Sequence, residues 1–462
     1  MASGNPNSNA VLKTGLAVAS CVVVLVAYRR FVDPAKGIAP SIFPEAAKVT
    51  LFRHPPAAAV PKVPVRVAPV VVPGVRPPVS PYFSDDSGSM DAFFGQLREL
   101  EQPPKAGPVQ VVTVLHYGDS PTTADLITGD VRALLQQRFG DAGHGFVLTG
   151  KPWAWYQHRG VDIADHGWTV STAVGKGREE TYGIGGASFE GDSDASSRVT
   201  MRDAGQTSME VAFLGRPGGG SVAVSADGAA VRTIATAAET TGPAWEDVAL
   251  PATAKTVELK PVSGSVRLYG ETFRTGKRGV LYDSLGLNGA STTVLSNGFN
   301  AAAWTAELQH EKPALVIINY GTNESGFGSY VDKYYEPSLV TAIKRVRAAL
   351  PGVPVLIMSP MDRGRRTGVD EIETYDTIPR IVAIQKRVAA EQKCAFFDTF
   401  DAMGGDGTMA RWYTGHPRLV AGDLIHPSPQ GASMVAHLLV DDLMKGYDDY
   451  LKRQTVSAAK AP

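Results

Sequence analysis

Three apolar runs, each ending in a small polar step, constrain this chain more than any other feature. They are VQVVTVL at Val109–Leu115, ALVIINY at Ala314–Tyr320 and VPVLIMSP at Val353–Pro360. Short continuous apolar runs rich in β-branched residues read as strands buried on both faces. After the first run, Thr122–Phe139 has helical spacing: Leu126, Ile127, Val131, Leu134, Leu135 and Phe139 can share one face. The other two runs are also linked to helical stretches. Strand alternating with helix predicts an α/β fold built on a parallel sheet.

From about Phe189 to Arg274 the texture changes. SMEVAFLG, SVAVSA, TVELKPV and VRLYGETF are short, alternating or β-branched, and are separated by Gly-, Asp-, Ala- and Thr-rich connections. This pattern predicts an antiparallel β-sandwich. The α/β pattern resumes with GVLYDSLGLNGAS at 279–291, so the β segment reads as an insert. With 462 residues, 44% of them hydrophobic, the chain can bury a sizeable core in two domains.

The N-terminus has a different character. VLKTGLAVASCVVVLVAY, at Val11–Tyr28, is apolar except for Lys13 and is followed by Arg29 and Arg30. It is long enough to span a bilayer if Lys13 snorkels to the interface, which makes it a signal-anchor; the alternative is a buried core helix. The VASC step ending at Cys21 is similar to a lipoprotein cleavage site, but the apolar run continues past it. Prolines are dense from 54 to 83 and favour an extended spacer. The expected organisation is an anchor at 1–30, a Pro-rich linker at 31–105, an α/β domain at 106–188 and 276–450, a β insert at 189–275 and a disordered tail at 451–462. Positive charges after the apolar segment favour a cytoplasmic bulk, whereas long domains cross membranes regardless of flanking charge and the spacer suits reach outside the membrane.

A net charge of −1 gives no support to a nucleic-acid partner. Two cysteines, Cys21 and Cys394, form neither a metal cluster nor an expected disulfide. The histidines show no HExxH spacing, so no cofactor or metal is expected.

Four short pieces carry the chemistry. In HYGDSPTT, Ser120 sits where a buried strand gives way to a helix; it is either a turn or cap residue, or a nucleophile awaiting a base. Ligands of open α/β sheets bind at such strand ends, and the helix N-terminus favours developing negative charge. In GDLIHPSP, Asp423 and His426 lie three apart before a final helix, a spacing that can place a carboxylate beside an imidazole. In INYGTNES, Asn323 follows a strand and can donate to an oxyanion. In SLGLNGAS, Gly289 leaves a backbone N–H open to approach. Each alone also reads as an ordinary turn. Trp153, Trp155 and Tyr156 in KPWAWYQHRG can stack on sugars or belong to the core. Arg363, Arg365 and Arg366 in MDRGRR either meet acidic glycans or sit in a solvated loop.

The set and its order resemble the SGNH (GDSL-type) hydrolase superfamily. That resemblance implies an SGNH/flavodoxin-like three-layer sandwich, with Ser120 as nucleophile, His426 as general base and then acid, and Asp423 as the orienting carboxylate. It further implies an oxyanion hole made by the backbone N–H groups of Ser120 and Gly289 with the Asn323 side chain. GDSPTTADLITGDVRALLQQRFGDAGHGFV and YGTNE are similar to the branch containing peptidoglycan O-acetylesterases, which carries a carbohydrate-binding-module-like, jelly-roll-like β insert. That branch usually has His after the nucleophile, where this chain has Pro121. The implied activity is removal of O-acetyl groups from an acetylated cell-envelope polysaccharide, by a membrane-anchored, extracytoplasmic enzyme. Acyl transfer, lipase or thioesterase activity, and a silent glycan-binding protein are the alternatives.

Overall fold

The computed structural model describes residues 80–104, 106–175 and 181–459. The expected anchor at Val11–Tyr28 and most of the proline-rich spacer lie outside the described residues. No helix among the described residues is long and apolar enough to cross a membrane.

In chain order the first elements are β1 (Phe83–Ser84), α1 (Asp91–Glu101), β2 (Val111–Gly118), α2 (Ser120–Thr123), α3 (Leu126–Phe139) and β3 (Gly145–Leu148). Then come β4 (Val161–His166), β5 (Thr169–Thr172), β6 (Ala187–Gly191), β7 (Ser196–Met201), β8 (Ser208–Gly215), β9 (Ser221–Ala226), β10 (Ala229–Ala235), β11 (Gly242–Ala249), β12 (Thr256–Ser263) and β13 (Val266–Arg274). The remainder comprises β14 (Gly279–Gly286), α4 (Ala301–Glu311), β15 (Leu315–Asn319), α5 (Glu336–Ala349), β16 (Val355–Met358), β17 (Gly364–Arg366), β18 (Ile372–Thr374), α6 (Thr377–Glu391), β19 (Ala395–Phe397) and α7 (Pro429–Ala459), with short helical turns between.

The central sheet has the order β1-β19-β16-β15-β2-β14. All its pairs are parallel except β1 with β19. The connection reverses direction between β2 and its neighbours β14 and β15. This is the flavodoxin-like arrangement, whose switch point lies beside the first strand. Strand pleating sends alternate side chains to opposite faces. Val112 and Val114 of β2, with Leu315 and Ile317 of β15, join the core under α1, α3 and α7. Leu115, Tyr117, Val316 and Ile318 join the other core, under α4, α5 and α6. This two-sided burial is why the strands read as continuous apolar runs. Each fully buried aliphatic or aromatic side chain contributes roughly 1.5–3 kcal/mol of hydrophobic free energy.

The chain leaves this sheet after α3 and returns at β14. Between them lie two antiparallel sheets, β10-β9-β12-β7-β4 and β11-β8-β13-β6-β5, with β3 paired to β13. Val199, Val224 and Leu259 from the first sheet share one apolar core with Phe189, Val211 and Leu268 from the second. Strands of these sheets begin at Gly145 and Val161, ahead of the texture change at Phe189. β4 and β5 escaped the sequence reading because most of their residues are polar or exposed: only Val161 and Ile163 of β4 are buried, and none of β5.

Two boundaries differ from expectation. The stretch 83–101, read as linker, is folded: Phe83 pairs with Phe397, and α1 buries Phe93, Phe94, Leu97 and Leu100 on one side. The stretch from 451, read as a disordered tail, instead continues α7 to Ala459. Residues 451–459 contain no Gly or Pro to stop a helix, and Arg453 ties them down through Asp449 (2.9 Å) and Asp91 (2.8 Å).

Candidate active site

The switch point is shaped by two glycines that face each other, Gly118 at the end of β2 and Gly286 at the end of β14. A Cβ on Gly118 would lie 2.2 Å from Thr122 Oγ1, and one on Gly286 would lie 2.1 Å from the Thr123 backbone nitrogen. Only bare backbone lets α2 settle against both strand ends. That short helix starts at Ser120.

The helix expected over 122–139 is broken. α2 ends at Thr123, Asp125 adopts a left-handed φ of 50°, and α3 starts at Leu126. The break is held by Asp125, which accepts from Thr128 Oγ1 at 2.6 Å, from the Arg159 backbone N–H at 2.7 Å and from Arg132 at 2.5 Å. Burial would push the Asp125 carboxyl up, but Arg132 and His158 outweigh it and hold the pKa at about 2.

Asp423 and His426 lie on the turn before α7. Leu424, buried and at φ 62°, anchors the turn through its carbonyl, which accepts from the Gly364 N–H at 2.9 Å. The Ala421 N–H donates to the His426 carbonyl at 2.8 Å and closes it. His426 Nε2 lies 2.8 Å from Ser120 Oγ, and His426 Nδ1 lies 2.7 Å from Asp423 Oδ2. A carboxylate only accepts, so Nδ1 carries the hydrogen and Nε2 keeps a lone pair toward the serine. The other Asp423 oxygen accepts the N–H groups of Ile425 (3.0 Å) and His426 (3.1 Å). Burial raises the Asp423 pKa, but these hydrogen bonds, the His426 ring foremost, outweigh it and leave the pKa below the usual carboxylate range.

Asn323 follows β15, and its side-chain amide donates to the Ala290 carbonyl at 2.8 Å. Gly289, at φ 72°, sits in a turn closed by the Ala290 N–H on the Leu287 carbonyl (3.0 Å). A substituted residue would be strained at that φ. Of the five residues singled out for chemistry, Ser120 thus opens α2 directly after β2, Gly289 and Asn323 are on the segments after β14 and β15, and Asp423 and His426 are on the turn before α7. The aromatics separate: Trp155 is exposed, Trp153 is half-buried against the core, and Tyr156 is buried with its hydroxyl accepting the Leu148 N–H at 2.9 Å.

Three further residues brace this site; Glu324 and Asp119 are not singled out by the sequence, which reads Arg363 only as meeting acidic glycans or sitting in a solvated loop. Glu324 is buried, and its Oε1 accepts both the N–H and the hydroxyl of Thr292 at 2.8 Å, fastening the Asn323 loop to the Gly289 loop. Arg363 donates to the Thr322 carbonyl at 3.0 Å and Ser325 Oγ at 2.9 Å, and lies over the Tyr375 ring. So the first arginine of MDRGRR turns inward, while Arg365 and Arg366 are exposed. Asp119, beside the serine, is buried; burial drives its pKa up to about 7, against a hydrogen bond from Thr322. Adjacency to Ser120 and Asn323 was the available signal for Asp119 and Glu324.

Residues 261–434 match the GDSL-like Lipase/Acylhydrolase family. The matched span holds Gly289, Asn323, Asp423 and His426, while Ser120 lies before it, separated by the antiparallel sheets. Among solved structures, the chain is similar to a peptidoglycan O-acetylesterase at a TM-score of 0.65 and 21% identity, over 78% of this chain and 96% of that one. It is also similar to a Bacillus subtilis protein, YXIM (TM-score 0.31, 14% identity, 62% and 90% covered). A salicylyl-acyltransferase of a tetracycline biosynthetic pathway follows (TM-score 0.27, 14% identity, 62% and 98% covered). No curated protein sequence matches.

Over residues 261–434 the chain is similar to the SGNH (GDSL-type) acylhydrolases, and that likeness supports an esterase. In fold it resembles the peptidoglycan O-acetylesterase.

Proposed function

We propose that the protein is a serine esterase that removes O-acetyl or similar acyl groups from a cell-envelope polysaccharide such as peptidoglycan. The observation that carries this reading is the hydrogen-bonded row Ser120–His426–Asp423 at the sheet's switch point. A silent glycan-binding protein would have no need of that row, with its tautomer fixed by a carboxylate. The likeness to a peptidoglycan O-acetylesterase supports the choice of substrate.

In the proposed reaction, Ser120 Oγ attacks the ester carbonyl carbon as His426 Nε2 takes its proton. The carbonyl oxygen becomes an oxyanion facing the N–H groups of Ser120 and Gly289 and the free amide hydrogen of Asn323. His426 returns its proton to the sugar oxygen as the C–O bond breaks, leaving the acyl group on Ser120. Water, deprotonated by the same nitrogen, attacks the acyl carbon; the proton then returns to Ser120 Oγ and acetate leaves. Asp423 stabilises the imidazolium in both halves. Such proton transfer typically contributes about 10²–10⁴-fold. No step calls for a cofactor. A wall substrate puts the working domain outside the cytoplasm, which the anchor and spacer would allow.

Hydrolysis of 4-nitrophenyl acetate by the wild type and Ser120→Ala tests the chemistry. Turnover should fall by several orders of magnitude in the variant; equal rates reject the esterase reading. Release of acetate from acetylated peptidoglycan, acetylated xylan and small esters, with and without an acceptor sugar, then separates hydrolysis from transfer.

A further inference from the structure

The segment that leaves β16 runs into β17 at Gly364. Three consecutive residues at this junction each grip a different part of the molecule. Asp362 is buried; its Oδ1 accepts from Thr374 Oγ1 at 2.8 Å and its Oδ2 from the Met409 N–H at 2.7 Å. Arg363 Nη1 donates to the Thr322 carbonyl at 3.0 Å and to Ser325 Oγ at 2.9 Å. Gly364 donates its N–H to the Leu424 carbonyl at 2.9 Å. Thr322 and Ser325 lie on either side of Asn323 and Glu324, and Leu424 lies between Asp423 and His426. One dipeptide, Arg363-Gly364, thus holds the Asn323 loop with its side chain and the base turn with its backbone.

Both arms are stiff. A Cβ on Gly364 would lie 3.1 Å from Leu424 Cβ and 3.2 Å from Met409 Cβ, so β17 and the base turn meet with no room for a side chain between them. On the other arm, the Arg363 carbonyl accepts the Tyr375 N–H at 2.8 Å, and the guanidinium carbon lies 4.4 Å from the centroid of the Tyr375 ring. A planar guanidinium laid on a ring is pre-organised before it bonds the loop. The loop it grips is itself tied: Ser325 Oγ donates to the Thr322 carbonyl at 2.7 Å, and Thr377 Oγ1 donates to the Ser325 carbonyl at 2.6 Å. An arginine keeps its protons at any working pH, so this grip does not titrate.

Ester cleavage needs the oxyanion donors and the base at fixed positions around one carbonyl carbon. The bond to the Ala290 carbonyl fixes Asn323 against the Gly289 side. Against the base, the connection runs through Arg363. We propose that Arg363 is a positioning residue for ester cleavage, acting through Asn323 by holding that amide at a set distance from His426. The inference rests on the esterase reading, which gives Asn323 an oxyanion to serve.

The test is a double-mutant cycle on the full chain, with kcat and KM measured on 4-nitrophenyl acetate. Arg363→Met keeps an unbranched stem and removes the guanidinium. It should lower kcat by about 10–10²-fold with KM little changed, the scale of a small misplacement at a reacting centre. In the Asn323→Ala background no amide remains to be positioned, and the same change should cost less than about twofold. A general loosening of the structure would instead multiply the two effects. Wild-type kcat in Arg363→Met, a loss confined to KM, or full multiplication in the double variant overturns the proposal. Melting curves show which variants are folded. If Arg363→Met does not fold, Ser325→Ala, which removes one acceptor of the guanidinium, replaces it in the cycle. A smaller fall in kcat that disappears beside Asn323→Ala then supports the proposal; no fall, or a multiplied one, overturns it. Failure of the esterase reading shows separately, as equal 4-nitrophenyl acetate turnover by the wild type and Ser120→Ala.

Discussion

The Asn323 side-chain amide is bonded to the Ala290 carbonyl at 2.8 Å, one residue beyond Gly289. That contact fixes the distance between the loops that follow β15 and β14. It also uses one amide hydrogen and orients the second. A preset donor stabilises an oxyanion without reorganisation at the moment of reaction. Asn323→Ala should therefore lower kcat on 4-nitrophenyl acetate by about 10²–10³-fold, with KM little changed. Stopped-flow kinetics on the two proteins check this; a rise in KM with kcat intact would make Asn323 a binding residue instead.

Asp423 determines which His426 nitrogen holds the hydrogen. In Asp423→Asn the amide can donate to Nδ1, leaving Nε2 protonated and unable to accept from Ser120. A loss of about 10⁴-fold in kcat is expected near neutral pH, as in other serine triads. The folded pKa of Asp423 is depressed, so its interaction with His426 is present above the unfolded value and is lost only as pH falls through the folded one. Loss of activity at any pH where Asp423 is still ionised therefore does not come from protonation of this carboxylate. Steady-state kcat of the wild type and Asp423→Asn, measured side by side at neutral pH, checks the expected loss; equal rates would mean that Asp423 does not set the tautomer.

The parallel sheet was legible because its strands are buried on both faces, as Val112, Val114, Leu115 and Tyr117 show on β2 alone. The chemical residues were legible because Ser120, Asn323 and the Asp423–His426 turn each sit at the end of a recognisable element. What the sequence concealed is long-range. β4 depends on pairing with β7, and β1 on pairing with β19; neither has an apolar pattern long enough to stand alone. The Asp125 break runs through a segment with good helical spacing, because partners at 132 and 159 outweigh local preference. Arg363 looked like one of three solvated arginines until the fold placed Thr322 and Ser325 beside it.

Gly286→Ala tests how tightly the strand ends hold α2. The added methyl would lie 2.1 Å from the Thr123 nitrogen, backbone that cannot yield without displacing the Ser120 helix. Overpacking of this kind costs about 1–3 kcal/mol, and activity should fall further than that loss implies, because Ser120 Oγ shifts relative to His426. Urea denaturation and kcat should be measured together. Unchanged values for both would mean that α2 is not braced by the strand.

Glu271 makes stability depend on pH away from the site. It lies fully buried on β13, with Thr149 donating to one oxygen at 2.7 Å and no partner for the other among the described residues. Burial raises its pKa to about 8. A glutamate in the unfolded chain ionises near ~4.3. Its folded-state preference for the proton is therefore fully present below that value and is lost as pH rises toward 8, by on the order of a few kcal/mol. Glu271→Gln cannot ionise and keeps an oxygen to accept from Thr149. Its melting temperature, followed by circular dichroism at fixed ionic strength, should match the wild type near pH 5 within a few degrees and exceed it at pH 8. The difference between the two curves isolates Glu271 from the buried acids Asp119 and Asp283, which also titrate on the alkaline side of their usual range. A difference that stays flat from pH 5 to 8 would mean that Glu271 is already ionised in the folded protein.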